Sequence, residues 1–192
     1  MKKRFLTLLL SVITCLTAGA YYTQQVDITI DKGLSCNAVR SFAKDIYGRL
    51  WVGTTNGANL ISNGTISQYQ YFTVGSDNIV IGDVISIGCS RRAILATTNH
   101  IIDFDPDNDS TRLVTYEGRI LRTEYIMMKG DSAYFYNMPL CAVMMYDMNT
   151  GTTRIVAQFP SERQFHFTKI LQVSNDPTQL LLYSQEAYTL KG

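Results

Sequence analysis

The sequence predicts an all-β protein: a β-propeller of about four four-stranded antiparallel blades in an incomplete ring, preceded by a signal peptide. Three observations predict this fold. A unit of about 43 residues recurs along the chain, which is the length of a propeller blade. Apolar residues make up 46% of the sequence and twelve residues are tyrosine, a composition that favours half-buried strands. After the first twenty residues, no window of eleven or more shows a sustained helical period.

Residues 1–20 have the pattern of a signal peptide. An apolar run over 5–16 follows three basic residues, Lys2, Lys3 and Arg4. Ala18 and Ala20 supply the small-x-small pattern of a cleavage site, which predicts cleavage before Tyr21. A lipid anchor on Cys15 is the alternative, although Thr14 stands where a small residue is usual.

The charge of the mature chain excludes some classes of partner. Without residues 1–20, fourteen Lys and Arg face sixteen Asp and Glu, a net charge of −2. No basic stripe remains for a nucleic-acid backbone, and no later stretch is long and apolar enough to cross a bilayer. We therefore expect an exported protein with no nucleic-acid partner and no membrane span in its mature part.

Two self-matches define the repeat. Residues 104–114 align without a gap on residues 146–156, each with an aromatic, an Asp, a polar turn and a returning Thr-Arg-aliphatic-Val strand. Residues 53–57 align on residues 96–100 at an offset of 43. Because a single blade cannot bury both of its faces, each copy must stack on its neighbours. The predicted domain covers 21–192, with blades at about 33–72, 73–116, 117–160 and 161–192.

The predicted strands follow these blades. Their approximate bounds are 26–30, 38–44, 49–54, 58–62, 66–72, 83–88, 93–98, 101–105, 111–116, 122–128, 132–137, 143–147, 152–157, 167–173, 179–184 and 187–190. The last unit is short of its outer strand, which is why we expect an incomplete ring.

Residues 33–57 resemble the two-component regulator propeller repeat, written roughly as G-L-S-x-N-x-V followed by D-x-x-G-x-L-W-x-G-T-x-x-G-L. Ala58 departs from the final Leu, and later units keep the period but not the Trp. We expect the residues that carry the match to be structural, in a turn, a middle strand and a hairpin: Asp45, Gly48, Trp51, Gly53, Thr54, Asn56 and Gly57.

The resemblance implies a function. In that family the propeller is the periplasmic sensor region of hybrid two-component histidine kinases of Bacteroidota, anchored in the inner membrane, and it resembles sensors of oligosaccharides. The kinase and further blades lie in parts absent from this chain, so no catalysis and no cofactor are expected here. The resemblance also implies that residues 26–30 form a ring-closing strand against the last blade.

Other candidate sites are weak. His100 occupies the turn position that Gly57 holds in the first unit and is the one candidate ligand contact, while His166 has no catalytic neighbours. Four alternating aspartates suggest calcium, but a solvated hairpin turn fits their spacing better than an EF-type loop: Asp103, Asp105, Asp107 and Asp109. Six clustered aromatics suit core packing better than stacking on sugars: Tyr69, Tyr71, Phe72, Tyr134, Phe135 and Tyr136. We expect no metal site.

Three functions follow in order of preference. The first is a periplasmic ligand-sensing module, or a fragment of one, whose partners are an oligosaccharide and the missing propeller blades. The second is a stand-alone periplasmic protein that binds proteins or glycans and pairs with a second copy of itself. The third is a propeller hydrolase or lyase, which the absence of clustered acids and histidines disfavours. The sequence leaves open how Cys36, Cys89 and Cys141 pair, because their number is odd.

Overall fold

A computed structural model describes residues 27–160, 169–172 and 180–183. Within them the chain is all-β, and the predicted fold class is confirmed. The predicted signal peptide, its cleavage residues Ala18, Ala20 and Tyr21, His166 and the predicted strand 187–190 lie outside the described residues.

Three four-stranded antiparallel sheets follow one another along the described part of the chain, and in each the strands pair in sequence order. The first blade contains β1 (Val39–Lys44), β2 (Leu50–Thr54), β3 (Gly57–Ser62) and β4 (Thr65–Tyr69). The second contains β7 (Val84–Cys89), β8 (Ala93–Thr97), β9 (Ile101–Asp105) and β10 (Ser110–Leu113). The third contains β13 (Met127–Lys129), β14 (Ser132–Asn137), β15 (Ala142–Asp147) and β16 (Thr152–Gln158).

Short hairpins join the outer strand of one blade to the inner strand of the next. They are β5 (Tyr71–Val74) with β6 (Asp77–Val80), and β11 (Thr115–Tyr116) with β12 (Arg119–Ile120). A further antiparallel pair is formed by β17 (Lys169–Gln172) and β18 (Leu180–Tyr183). The predictions of continuous strands over 66–72 and 111–116 were wrong, because each stretch is divided between an outer strand and the first strand of a hairpin.

The predicted strand over 26–30 was also wrong. Residues 27–29 are not in a strand, and Ile30–Lys32 form a single 3-10 turn that ends at Gly33 in the left-handed region. The Ile30 N–H donates to the side-chain oxygen of Asn37, 2.9 Å away, so this backbone is satisfied locally rather than by a neighbouring strand. The predicted strand over 122–128 shortens to Met127–Lys129.

The core lies between the blades. One buried cluster joins the first and second blades and contains Trp51, Ala58, Leu60, Phe72, Ile81, Val84, Ile87, Ala93, Leu95, Ile102 and Phe104. A second cluster joins the second and third blades and contains Ile94, Ala96, Ile101, Val114, Leu121, Ile126, Ala133, Phe135, Ala142, Met144, Tyr146 and Met148. Strand β8 contributes alternate residues to both clusters and is buried throughout, so the second blade is covered on both faces.

Among the described residues, no helix has the length and apolar character needed to span a membrane.

Candidate functional site

The first motif turn is held by a buried carboxylate. Asp45 is 6% exposed and accepts hydrogen bonds from the backbone N–H groups of Tyr47 and Arg49, at 3.0 and 2.9 Å. The Arg49 Nε donates to the other oxygen of Asp45 at 2.6 Å. Gly48 closes the turn with φ of +83°, a conformation that a residue with a Cβ rarely adopts. The Asp-x-x-Gly pattern therefore encodes a tight turn whose charge is paired.

Arg49 also links two blades, which the sequence did not predict. Its Nη1 donates to Asp107 of the second blade at 2.5 Å. Arg92, which lies 43 residues later, binds within the second blade instead, to Asp103 at 2.6 Å and Asp105 at 3.3 Å. Three of the four alternating aspartates are thus bound to arginines. No cluster of three or more metal-binding side chains occurs among the described residues.

Trp51 fills the space between the first two blades. It is 1% exposed, and its ring meets Phe104 edge-on at 6.1 Å and Tyr69 at 5.5 Å between centroids. Tyr69 stacks in turn on Phe72 at 5.7 Å. Burial, followed by the charge of Asp109, raises the pKa of Tyr69. These aromatic contacts belong to the core.

Gly53 allows the second blade to approach. A Cβ at this position would lie 2.8 Å from the backbone oxygen of Val84 and 2.6 Å from the Ser41 hydroxyl. The hairpin that follows is tied by Thr54, whose hydroxyl donates to the Gly57 carbonyl at 3.0 Å and accepts from the Asn56 N–H at 3.1 Å.

A buried polar network fixes the segment that precedes the first blade. Asn59 is 0% exposed, accepts from the Ser35 N–H at 2.8 Å and donates to the Ser35 hydroxyl at 2.8 Å. The Asn56 side chain donates to the Ser35 carbonyl at 3.4 Å. Sequence reasoning missed Asn59, because an amide within a strand is typical of a solvent-facing position.

His100 lies in the turn that corresponds to the hairpin at Gly57. Its backbone N–H donates to the Thr97 hydroxyl at 3.0 Å, and its carbonyl accepts from that hydroxyl at 3.1 Å. His100 as a whole is half-buried. These hydrogen bonds of His100 are made by its backbone and hold the turn.

A groove of about 260 Å³ lies between the first and second blades. It is lined by Gln68, Tyr69, Gln70, Tyr71, Phe72, Thr73, Asp109 and Thr111. Of the six aromatic residues for which core packing was predicted, Phe72, Phe135 and Tyr136 are buried, whereas Tyr71 is 63% exposed. The groove combines an accessible aromatic ring with amide, hydroxyl and carboxylate groups from two blades. These groups can contact a polar ligand.

The three described cysteines are free thiols. A hydrogen bond from the Thr55 hydroxyl, 3.2 Å from the Cys36 sulfur, lowers the pKa of Cys36. Burial, followed by the charge of Asp45, raises the pKa of Cys89 to about 12.

Comparison with known proteins confirms the family resemblance. Residues 33–56 match the family model described as two component regulator propeller. Two similar solved structures are extracellular domains described as belonging to the hybrid two-component systems BT3049 and BT4673 of B. thetaiotaomicron. The first has a TM-score of 0.61 at 18% identity over 82% of this chain, and the second a TM-score of 0.57 at 14% identity over 78%.

The chain spans 23% and 20% of the lengths of those two extracellular domains. At such identities the likeness establishes the propeller fold. No curated protein matches the chain.

Proposed function

Since the chain is a β-propeller with a two-component regulator propeller repeat, we propose that it is the ligand-sensing propeller module of a hybrid two-component sensor. It acts outside the cytoplasm, in the periplasm, and performs no catalysis itself. The observation that carries this proposal is the repeat at 33–56 within a propeller similar to extracellular domains of such systems.

The ligand that suits the groove is an oligosaccharide. Sugar rings have apolar faces that pack on aromatic rings and hydroxyls that pair with amides and carboxylates. The groove offers the exposed ring of Tyr71, the amides of Gln68 and Gln70, and the carboxylate of Asp109. None of these groups is a nucleophile activated by a neighbouring base, which favours binding over reaction.

The location of the groove suits sensing. Its walls come from the outer strand and hairpin of the first blade and from the outer strand of the second blade, so a bound ligand would contact both blades. A ligand shifts a protein between states only when it binds them with different affinity. A site shared by two blades would bind a ligand with different affinity in two states that differ in how those blades are docked.

The proposal is tested with a glycan array followed by isothermal titration of each oligosaccharide that binds. We expect Tyr71→Ala and Asp109→Asn each to weaken binding by about tenfold or more, which is the loss of one well-formed contact. Tyr47→Ala is the matched control, since Tyr47 is a tyrosine of similar exposure (59%) that lies outside the groove. Unchanged affinity in the groove variants would place the site elsewhere, and an array without any binding oligosaccharide would refute the ligand class.

A further inference from the structure

The groove between the first and second blades carries a charge that no described residue neutralises. Asp109 lines the groove and is exposed, and its carboxylate has no hydrogen-bond or ion-pair partner among the described residues. The other three aspartates of the alternating set are each paired with an arginine. The remaining lining residues are uncharged, so a ligand in the groove meets one free carboxylate and no cation.

Two arginines that neighbour groove residues are bound elsewhere. Arg49 lies between Asp45 of its own turn and Asp107 of the second blade, whose two carboxylates more than balance its charge. Arg112 follows the groove residue Thr111, but adjacent strand residues point to opposite faces of a sheet. Its Nη1 donates to a backbone carbonyl of the third blade at 3.2 Å. Neither arginine therefore supplies a cation to a ligand in the groove.

The charge of Asp109 acts on the wall of the groove. Burial, followed by this charge, raises the pKa of Tyr69, which lines the groove. Arg49 acts in the opposite direction and has a smaller effect than Asp109, while Asp107 reinforces Asp109. The negative charge is thus felt inside the groove, where it attracts a cation and repels an anion.

The backbone at Asp109 has a conformation that favours glycine. Its φ is +48°, in the left-handed region, where an aspartate is tolerated at some conformational cost. The alignment of residues 104–114 on 146–156 places Gly151 at the equivalent turn position, with φ of +71°. Residues held in this region cluster at ligand sites. A carboxylate at a position where the repeat also accepts glycine therefore favours a role for Asp109 in binding.

Building on the proposed sugar-binding function, we propose that the groove selects oligosaccharides of hexosamines with free amino groups over neutral and acidic oligosaccharides. The protonated amine of one sugar donates to the Asp109 carboxylate, and a sugar ring packs on the exposed ring of Tyr71. N-acetylation removes the positive charge of the amine, and the carboxylate of a uronic acid is repelled by Asp109. Charge therefore decides which sugars the groove accepts.

The test compares oligosaccharides of glucosamine with N-acetylated oligosaccharides of the same length. Both are titrated into the full chain at about pH 5.5, where amino groups are protonated. We expect the free amines to bind about two- to fivefold more tightly, which is the contribution of one exposed ion pair. Oligosaccharides of uronic acids should bind more weakly than either. Equal affinities, or tightest binding of the uronic acids, would overturn the proposal.

Variants assign the preference to one carboxylate. Asp109→Asn should abolish the preference for free amines, whereas Tyr71→Ala should weaken both ligands and leave their ratio unchanged. Asp77→Asn is the matched control, because it removes the same charge from an exposed position outside the groove and should keep the preference. Asp109→Gly should abolish the preference without lowering the melting temperature, since glycine adopts positive φ freely. A preference that survives Asp109→Asn, or that Asp77→Asn removes, would contradict the assignment.

The charge preference and the proposed function fail in different ways. If amine and N-acetylated oligosaccharides bind equally and Tyr71→Ala weakens both, the charge selection is refuted while sugar binding in the groove is retained. If none of these oligosaccharides binds and the glycan array is also empty, the sugar-binding function itself is refuted, and the charge selection with it.

Discussion

Both interfaces between the described blades bury apolar faces, but they do so with different side chains. The first interface is aromatic, with Trp51 against Phe104, and its interblade ion pair joins Arg49 to the exposed Asp107. The second is mainly aliphatic and contains a buried carboxylate. Asp103 is 0% exposed and accepts hydrogen bonds from Arg92 within its own blade and from the Tyr146 hydroxyl of the next, at 2.6 and 2.7 Å.

The backbone arrangement is nevertheless shared. Both inner strands have a bulge just before a serine, and each serine hydroxyl contacts the inner segment of the following blade. The Ser41 hydroxyl donates to the Val84 carbonyl at 3.3 Å, and the Ser86 hydroxyl accepts from the Ile126 N–H at 3.1 Å. Blade stacking therefore constrains volume and strand register more strongly than residue identity. This explains why the family motif fades after the first repeat while the period persists.

The largest difference should appear when the central side chain of each interface is removed. We expect Trp51→Ala to lower the free energy of unfolding by about 3–5 kcal/mol, and Ile94→Ala by about 2–4 kcal/mol, since truncation loses transfer energy and leaves a cavity. Urea unfolding followed by circular dichroism measures both. A greater loss for Ile94→Ala would mean that the aromatic interface is the weaker one.

The buried carboxylate should distinguish the second interface from the first. Asp103→Asn should cost about 2–3 kcal/mol, because it weakens charge-assisted hydrogen bonds to Arg92 and Tyr146 in a buried site. The matched variant at the first interface, Asp107→Asn, should cost about 0.2–1 kcal/mol, since half of the Asp107 side chain is exposed. Equal losses of unfolding free energy for the two variants in urea titrations would contradict this difference between the interfaces.

Glycine at the first interface should matter through close approach. Gly53→Ala should destabilise the chain by about 1–3 kcal/mol, because the new methyl group would meet the Val84 backbone at 2.8 Å. Gly82→Ala is the control, since a Cβ there would meet no atom within 4 Å. If thermal unfolding finds the two variants equally stable, the blades are not held at this distance by Gly53.

The smallest effect concerns pH at the second interface. Asp131 of the third blade accepts a hydrogen bond from the Ser90 hydroxyl of the second, which lowers the pKa of Asp131. A carboxyl whose pKa is lower in the folded state stabilises the fold fully above its unfolded pKa and loses that contribution as the pH falls. We therefore expect the melting temperature to fall below about pH 4, and to fall less steeply in Asp131→Asn. If the melting temperatures of the parent chain and of Asp131→Asn fall equally steeply with pH, the Ser90–Asp131 hydrogen bond does not contribute to this pH dependence.

Local patterns in the sequence were sufficient for much of the fold. The spacing of Trp51 and Ile94 gave the blade period, and both side chains lie between blades. The connecting hairpins were missed because strands as short as Arg119–Ile120 have no detectable alternation. The local pattern over 26–30 also led to a wrong prediction at the start of the domain, because Ile30–Lys32 form a 3-10 turn where a strand was expected.

The candidate site was much less predictable than the fold. The groove brings Tyr71 beside Asp109, and this proximity depends on how two blades dock rather than on either segment alone. The pairing of Arg49 with Asp107 has the same origin, because 58 residues separate them. From the sequence alone, Arg49 could equally well pair with any of several aspartates in that turn. His100 was chosen by repeat position, and its described contacts are those of a turn residue.

Neighbouring blades hide each other's apolar faces, so that none of the three described blades is stable alone. This dependence is tested by urea unfolding monitored with two signals under the same conditions. Trp51 fluorescence reports on the first blade, and amide hydrogen exchange of β14 reports on the third. We predict the same midpoint and the same free energy for both signals. Two separated transitions, with β14 still protected after Trp51 has become exposed, would contradict it.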